Sequence, residues 1–219
     1  MESYSERNRM TWTERDLSIV EALASQVRLL SRAQVVRGWW DPSVRAEEHA
    51  AARLRRLARA GLVLAFRVNA HPPIELAGPV VSWTPDDPAP DCEAVSRRLR
   101  DRWTEPARPT PVYAASRRAA NLFGCSGGDL PPLEHRDHDL LLGEVFVRYR
   151  REDPGDAACW VGEAARPKAG FRIKDPDAFL IDATGAVRRV IESGGKYEPD
   201  RVAAFHEYCA TEGLPYELW

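Results

Sequence analysis

Between Thr13 and Gly61 apolar residues recur every three or four positions, and residues suited to helix ends punctuate them. Thr13-Glu14-Arg15-Asp16 pairs a capping threonine with acids that meet the positive end of a helix dipole, and Leu17, Val20, Ala24 and Val27 follow at helical spacing. Ser31 opens a second, short helix over 32–38 with Val35 and Val36 turned inward, which Trp39-Trp40-Asp41-Pro42 interrupts. Asp41 or Ser43 is expected to cap a third helix over 43–60, in which Ala46, Ala50, Leu54 and Leu57 form one stripe. Gly61 suits the left-handed position after its end. The pattern then changes to that of a strand over 62–68. Beyond His71-Pro72-Pro73, Val80-Val81-Ser82-Trp83 is expected to return beside it as a second strand.

Prolines at 85, 88, 90, 106, 109 and 111 mark the next stretch as a linker, with an arginine-rich helix from Cys92 to Trp103 and a short strand-helix unit over 111–124. The last third reads differently. Leu140, Leu141, Val145 and Val147 indicate a helix over 137–150, with a strand from Val145 as the alternative for its second half, and strands are expected over 158–163, 178–181 and 187–191. The last two are joined by the turn Asp182-Ala183-Thr184-Gly185. An amphipathic helix over 200–212 carries Val202, Phe205 and Cys209 on one face, and 214–219 reads as a closing strand. Helix, three strands, helix, strand is an α/β sandwich order. The expected fold class is therefore α/β (α+β), divided as 1–83, a Pro-rich linker over 84–130, and 131–219.

Composition adds two constraints. The chain has 219 residues, 44% of them hydrophobic, enough for a packed core. No apolar run of about 18 residues occurs and the first ten residues are polar, so a cytoplasmic protein without membrane contact is expected. Cys92, Cys125, Cys159 and Cys209 lie far apart with no C-x-x-C pair, which points to free thiols rather than a zinc or redox site. Charge is uneven: residues 1–83 hold 12 Lys and Arg against 9 Asp and Glu, whereas 119–219 hold 12 against 18. That asymmetry fits a basic, nucleic-acid-facing half joined to an acidic one. Only Lys168, Lys174 and Lys196 are lysines, so nearly all positive charge is arginine.

A helix-turn-helix needs its second helix to brace the third, whose polar face then lies in the major groove. With the Ala50, Leu54 and Leu57 stripe buried, Arg45, His49, Arg53 and Arg56 are expected to project outward, where arginine can fork onto guanine or neutralise phosphate. The string from Leu54 to Val63, Leu-Arg-Arg-Leu-Ala-Arg-Ala-Gly-Leu-Val, resembles the end of the recognition helix and the start of the wing in winged-helix proteins. The resemblance implies a winged helix-turn-helix over 1–83 with double-stranded DNA as partner. A solvated arginine face, or a winged helix that binds protein, is the alternative.

Asp175-Pro176-Asp177 opens one strand of the proposed hairpin and Glu192 lies late on the other. Carboxylates brought together across adjacent strands can share a Mg²⁺ ion, which stabilises developing phosphate charge and generates hydroxide, with a lysine assisting. This resembles the PD-(D/E)xK nuclease motif, as does the element order of 137–219, with Glu144 on the first helix as an additional acid. The motif places its lysine two residues after the glutamate; here that position is Gly194 and the lysine is Lys196, which keeps strand parity only if the strand runs on. The resemblance implies either a Mg²⁺-dependent endonuclease or nickase using Asp177, Glu192, Lys196 and Glu144, with Asp177 and Glu192 holding the metal, or a nuclease-like domain without catalysis that serves docking or homodimerisation. His135-Arg136-Asp137-His138-Asp139 reads as the capped start of a helix, with a metal site as the alternative. His206 reads as a half-buried hydrogen-bond partner.

Across the chain, these features together with His138-Asp139-Leu140-Leu141-Leu142, Trp160, Pro176-Asp177-Ala178, Phe205-His206-Glu207-Tyr208 and Tyr216-Glu217-Leu218-Trp219 resemble the replication-relaxation family. That resemblance implies a DNA-associated protein of plasmids or mobile elements that joins a winged helix to a nuclease-like domain, with catalysis left open. An adaptor that touches neither DNA nor metal is a third possibility.

Overall fold

Reciprocal side-chain caps set the first two helix starts in the computed structural model, which describes residues 11–72, 74, 76–165 and 176–219. The Thr13 hydroxyl accepts from the Asp16 amide at 3.2 Å and the Asp16 carboxylate accepts from the Thr13 amide at 2.8 Å, opening α1 (Glu14–Glu21), which widens into a π turn over Ala22–Gln26. Ser31 and Gln34 make the same box at α2 (Arg32–Trp39). The third helix, α3 (Ala46–Arg59), starts three residues later than its pattern suggests, because neither Asp41 nor Ser43 supplies a side-chain cap and Arg45 sits at the cap position. It ends at Gly61, whose φ of 70° is the left-handed conformation that glycine adopts without strain.

The strand after α3 finds a different partner from the one expected. β2 (Val63–Ala70) pairs antiparallel along its whole length with β4 (Arg108–Ala115), from Val63 opposite Ala115 to Ala70 opposite Arg108. β1 (Leu30–Ser31) covers the other edge of β4 at Val112 and Tyr113, giving the order β1-β4-β2. Pro109 and Pro111 fit in β4 because alternate positions lose donors along one edge only, and β1 leaves that stretch uncovered. The run Val80 to Trp83 does not return beside β2 as expected. β3 (Val81–Trp83) pairs with β8 (Tyr216–Leu218), and the Trp83 ring stacks on Tyr216 with centroids 5.5 Å apart. Likewise 84–130 is no simple linker, since α4 (Cys92–Asp101) buries Val95 and Leu99 in the same core as Trp83, while β4 and α5 (Arg117–Leu122) return to the first sheet.

The second sheet has the order β3-β8-β7-β6-β5. Its core follows the expected order: α6 (Arg136–Glu152), a short α7 (Pro154–Ala158), β5 (Trp160–Gly162), β6 (Ala178–Ile181), β7 (Val187–Glu192), α8 (Pro199–Thr211) and β8. β5, β6 and β7 form an antiparallel meander, and α8 carries the chain across to place β8 parallel to β7. The molecule is α+β with two sheets. Among the described residues no helix is long and apolar enough to cross a membrane.

α6 is buried from Asp139 to Val147, which a helix covered on one face only would not be. It lies between α2 and the second sheet, so that Ile19, Leu54, Phe146, Leu180, Ile191 and Trp219 belong to one apolar cluster. Glu144 faces the α2 side: it accepts from Gln34 at 3.2 Å and from Arg37. Burial pushes its carboxyl above the ordinary range while Arg37 and Gln34 pull against it.

Arg53 does not project outward as the α3 pattern predicts. Asp16 is fully buried, and a buried carboxylate is costly unless it is paired or hydrogen-bonded; Arg53 reaches across from α3, donates to both Asp16 oxygens, and also donates to the Thr11 carbonyl at 2.7 Å. Burial raises the Asp16 carboxyl, but the Arg53 guanidinium and the Thr13 cap outweigh it and hold the group below its ordinary 3.8. Because the folded value is the lower one, this stabilisation is complete above pH 3.8 and is lost as pH falls through the folded value. Arg53→Ala is expected to cost about 3 kcal/mol at neutral pH by stranding the carboxylate. Urea denaturation should show that loss shrinking in acid, and a variant as stable as the parent at pH 7 would refute the clamp.

Candidate nucleic-acid interface and carboxylate pair

On α3 the buried stripe is Ala46, Ala50, Leu54 and Leu57. Opposite it, helical spacing and exposure align Arg45, His49, Arg56 and Arg59, all open to solvent. None of these four forms an ion pair or side-chain hydrogen bond with a described residue. Arg59, three positions after Arg56, was legible from the same periodicity that gives Arg45, His49 and Arg56. Charge is graded along the helix, with Glu47 and Glu48 in the first turn and Arg56 and Arg59 in the last. Arg55, also exposed, lies on the flank toward β4, where it and Arg32 act on the buried Tyr113 phenol; burial raises that phenol and the two arginines lower it.

In the second sheet the β6–β7 register puts Ala178 opposite Ile191, which makes Asp177 and Glu192 the next opposed pair. The sequence-predicted carboxylates are therefore brought together, at 6% and 3% exposure. The Asp177 amide donates to Glu192 Oε2 at 3.1 Å, and the Ser193 amide donates to Asp177 Oδ2 at 2.8 Å. Tyr197 donates its hydroxyl to Glu192 Oε1, and burial followed by the Glu192 charge pushes this phenol far above its ordinary range, so it stays a donor. Asp175 lies outside the described residues, as do Lys168 and Lys174.

His138, rather than Glu144, is the α6 residue at this pair. Its Nε2 lies 2.9 Å from Asp177 Oδ2 and its Nδ1 3.5 Å from Asp139 Oδ1. Glu144 is six residues further along the helix, about 9 Å away along the axis, and is held by α2. The segment from His135 to Asp139 makes tertiary ties rather than caps: no side chain caps α6, while Asp137 accepts from the His71 amide at 2.8 Å. His206 is held through Nδ1 at 3.1 Å from the Tyr216 hydroxyl.

Lys196 does not line up with the pair on a continued strand. The ladder stops at Glu192, the chain turns so that the Tyr197 amide donates to the Gly194 carbonyl at 2.9 Å, and Gly195 takes a φ of 50°. The exposed Lys196 leans over the Trp103 ring, its Nζ 5.7 Å from the centroid. Position 194, where the motif has lysine, is closed: a Cβ there would sit 2.7 and 2.8 Å from the Leu99 methyls and 3.0 Å from Leu218. Mg²⁺ favours an octahedron of oxygens with several waters. The carboxylate oxygens here are engaged by two amides, a phenol and an imidazole, and among the described residues no group of three His, Cys, Asp or Glu side chains is placed to hold an ion. The described residues do not fit the metal.

No family model matches the chain, and no curated protein or solved structure matches it.

The packing at 194 and 196 yields a contrast. Gly194→Ala is expected to cost about 1–3 kcal/mol, since Leu99 and Leu218 must yield to the added methyl, whereas Lys196→Ala should stay within about 0.5 kcal/mol. Chemical denaturation of both variants checks this, and equal stabilities would show that position 194 has room.

Proposed function

We propose that this protein binds double-stranded DNA through a winged helix-turn-helix, with α3 as recognition helix and the antiparallel β2–β4 pair as wing. The five-stranded half then acts as a docking or dimerisation module without nuclease activity. The observation that carries this reading is the row of exposed Arg45, His49, Arg56 and Arg59 on α3, unpaired among the described residues, whose guanidiniums can neutralise phosphates and fork onto guanine. The order α1-β1-α2-α3-β2, with β4 joining β2 after β3 and α4 have crossed to the other sheet, supports it, because α2 braces α3 from behind and leaves the arginine-bearing face open. A replication-relaxation protein of a plasmid or mobile element, working in the cytoplasm, is the family-level form of this reading and rests on the sequence resemblance.

The Mg²⁺-dependent endonuclease or nickase has one observation in its favour, the opposed Asp177 and Glu192. Against it stand the engaged carboxylates, the closed position at Gly194, and Glu144 held at the other helix interface.

Fluorescence anisotropy with a mixed-sequence duplex across a salt series tests the DNA reading. Arg56→Glu combined with Arg59→Glu should weaken binding at least about tenfold and lower the slope of log K against log salt by roughly 2, one per lost phosphate contact. Arg53 is left intact, since its loss would undo the Asp16 clamp. Unchanged affinity in the double variant would overturn the assignment of the α3 face. Supercoiled plasmid with Mg²⁺ or Mn²⁺ should remain intact, and nicking abolished by Asp177→Ala would restore the endonuclease.

A further inference from the structure

The two ends of α3 differ in what they can approach. Glu47 and Glu48 repel phosphate at the N-terminal end, while Arg55, Arg56 and Arg59 attract it at the other. The helix therefore has a direction on a duplex, its acidic end toward the base edges and its basic end on the backbone. Immediately before that acidic end stands Val44, at 104% exposure, beside the exposed Arg45 and in the turn that leads into the helix. Among the described residues nothing covers its side chain, which leaves both methyls free to meet a partner. In the major groove the one apolar group that a base pair presents is the thymine 5-methyl.

We propose that Val44 is a specificity-determining residue that reads a thymine methyl. The inference rests on the DNA reading above and adds to it a base and a position. Arg45, adjacent and unpaired, supplies the polar contact next to that thymine, and Glu48, one turn into the helix, disfavours a backbone phosphate at the same place. Val44 is in a turn and fully exposed, so truncating it leaves the fold intact.

The test begins by selecting the preferred duplex from a random pool with the full chain, then replacing each thymine in it by uracil, which removes only the methyl group. At one position the replacement should weaken binding about fourfold, the worth of one buried methyl-sized group. Val44→Ala should bind the thymine and uracil forms of that duplex equally, with an unchanged melting temperature and an unchanged salt slope. Three outcomes overturn the proposal. If duplex is bound but no sequence emerges, or if every uracil replacement affects parent and Val44→Ala alike, the methyl contact is wrong while the DNA reading stands. If no duplex is bound at all, both fall together.

Discussion

The rest of the structure depends on the burial of α6 on both of its sides. A helix whose residues are enclosed from Asp139 to Val147 has no solvent face over that stretch, and here one side is taken by α2 and the other by the second sheet. Neither half has a complete core without it. Gln34 on α2 donates to the Leu140 carbonyl at 2.6 Å and to Glu144, while Tyr149 near the other end donates to Glu217 at 2.6 Å on β8. Glu217, itself buried, also accepts from Arg189 and Trp219, so the charge it brings into the interior is compensated. Through α6 the orientation of α2, and hence of α3, is tied to the second sheet.

That shared core explains which parts of the fold can be read from sequence. Local features stand where a short polar residue meets the helix start: Thr13 and Ser31 cap α1 and α2, and the Ala46, Ala50, Leu54 and Leu57 stripe is buried, whereas the caps expected from Asp41 or Ser43 and at the start of α6 do not form. Strand partnership is not local. Val81 to Trp83 has the length and composition of a wing strand, yet the aromatic surface of Tyr216 and the core around Leu99 and Val190 draw it to the second sheet. The true partner of β2 carries Pro109 and Pro111, and prolines read along the chain as linker rather than strand. Only the uncovered edge of β4, a tertiary fact, makes them acceptable.

The candidate sites divide along the same line. Asp177 and Glu192 were legible as the two ends of one hairpin, whose turn Asp182 and Gly185 define through the Thr184 and Ala186 amides, but the register shift between Leu180 and Ile181 that sets them directly opposite was not. His138 was visible as a histidine but not as the neighbour of Asp177, since helix-to-sheet docking sets which turn of α6 meets the strand. Arg53 and Arg56 look alike in sequence. What separates them is the buried Asp16 on another helix, which claims one arginine and leaves the other to solvent.

This partition bears on the proposed function. An arginine held by an internal carboxylate ties α3 to α1, so the helix face that bears Arg45, His49, Arg56 and Arg59 has a fixed place in the fold. In the other half, Asp177 and Glu192 are met by amides, a phenol and an imidazole from within the chain. Each donor that meets a carboxylate internally offsets the cost of burying it, and each also occupies a lone pair that an external cation would need. Charge is thus presented outward on α3 and satisfied inward at the carboxylate pair.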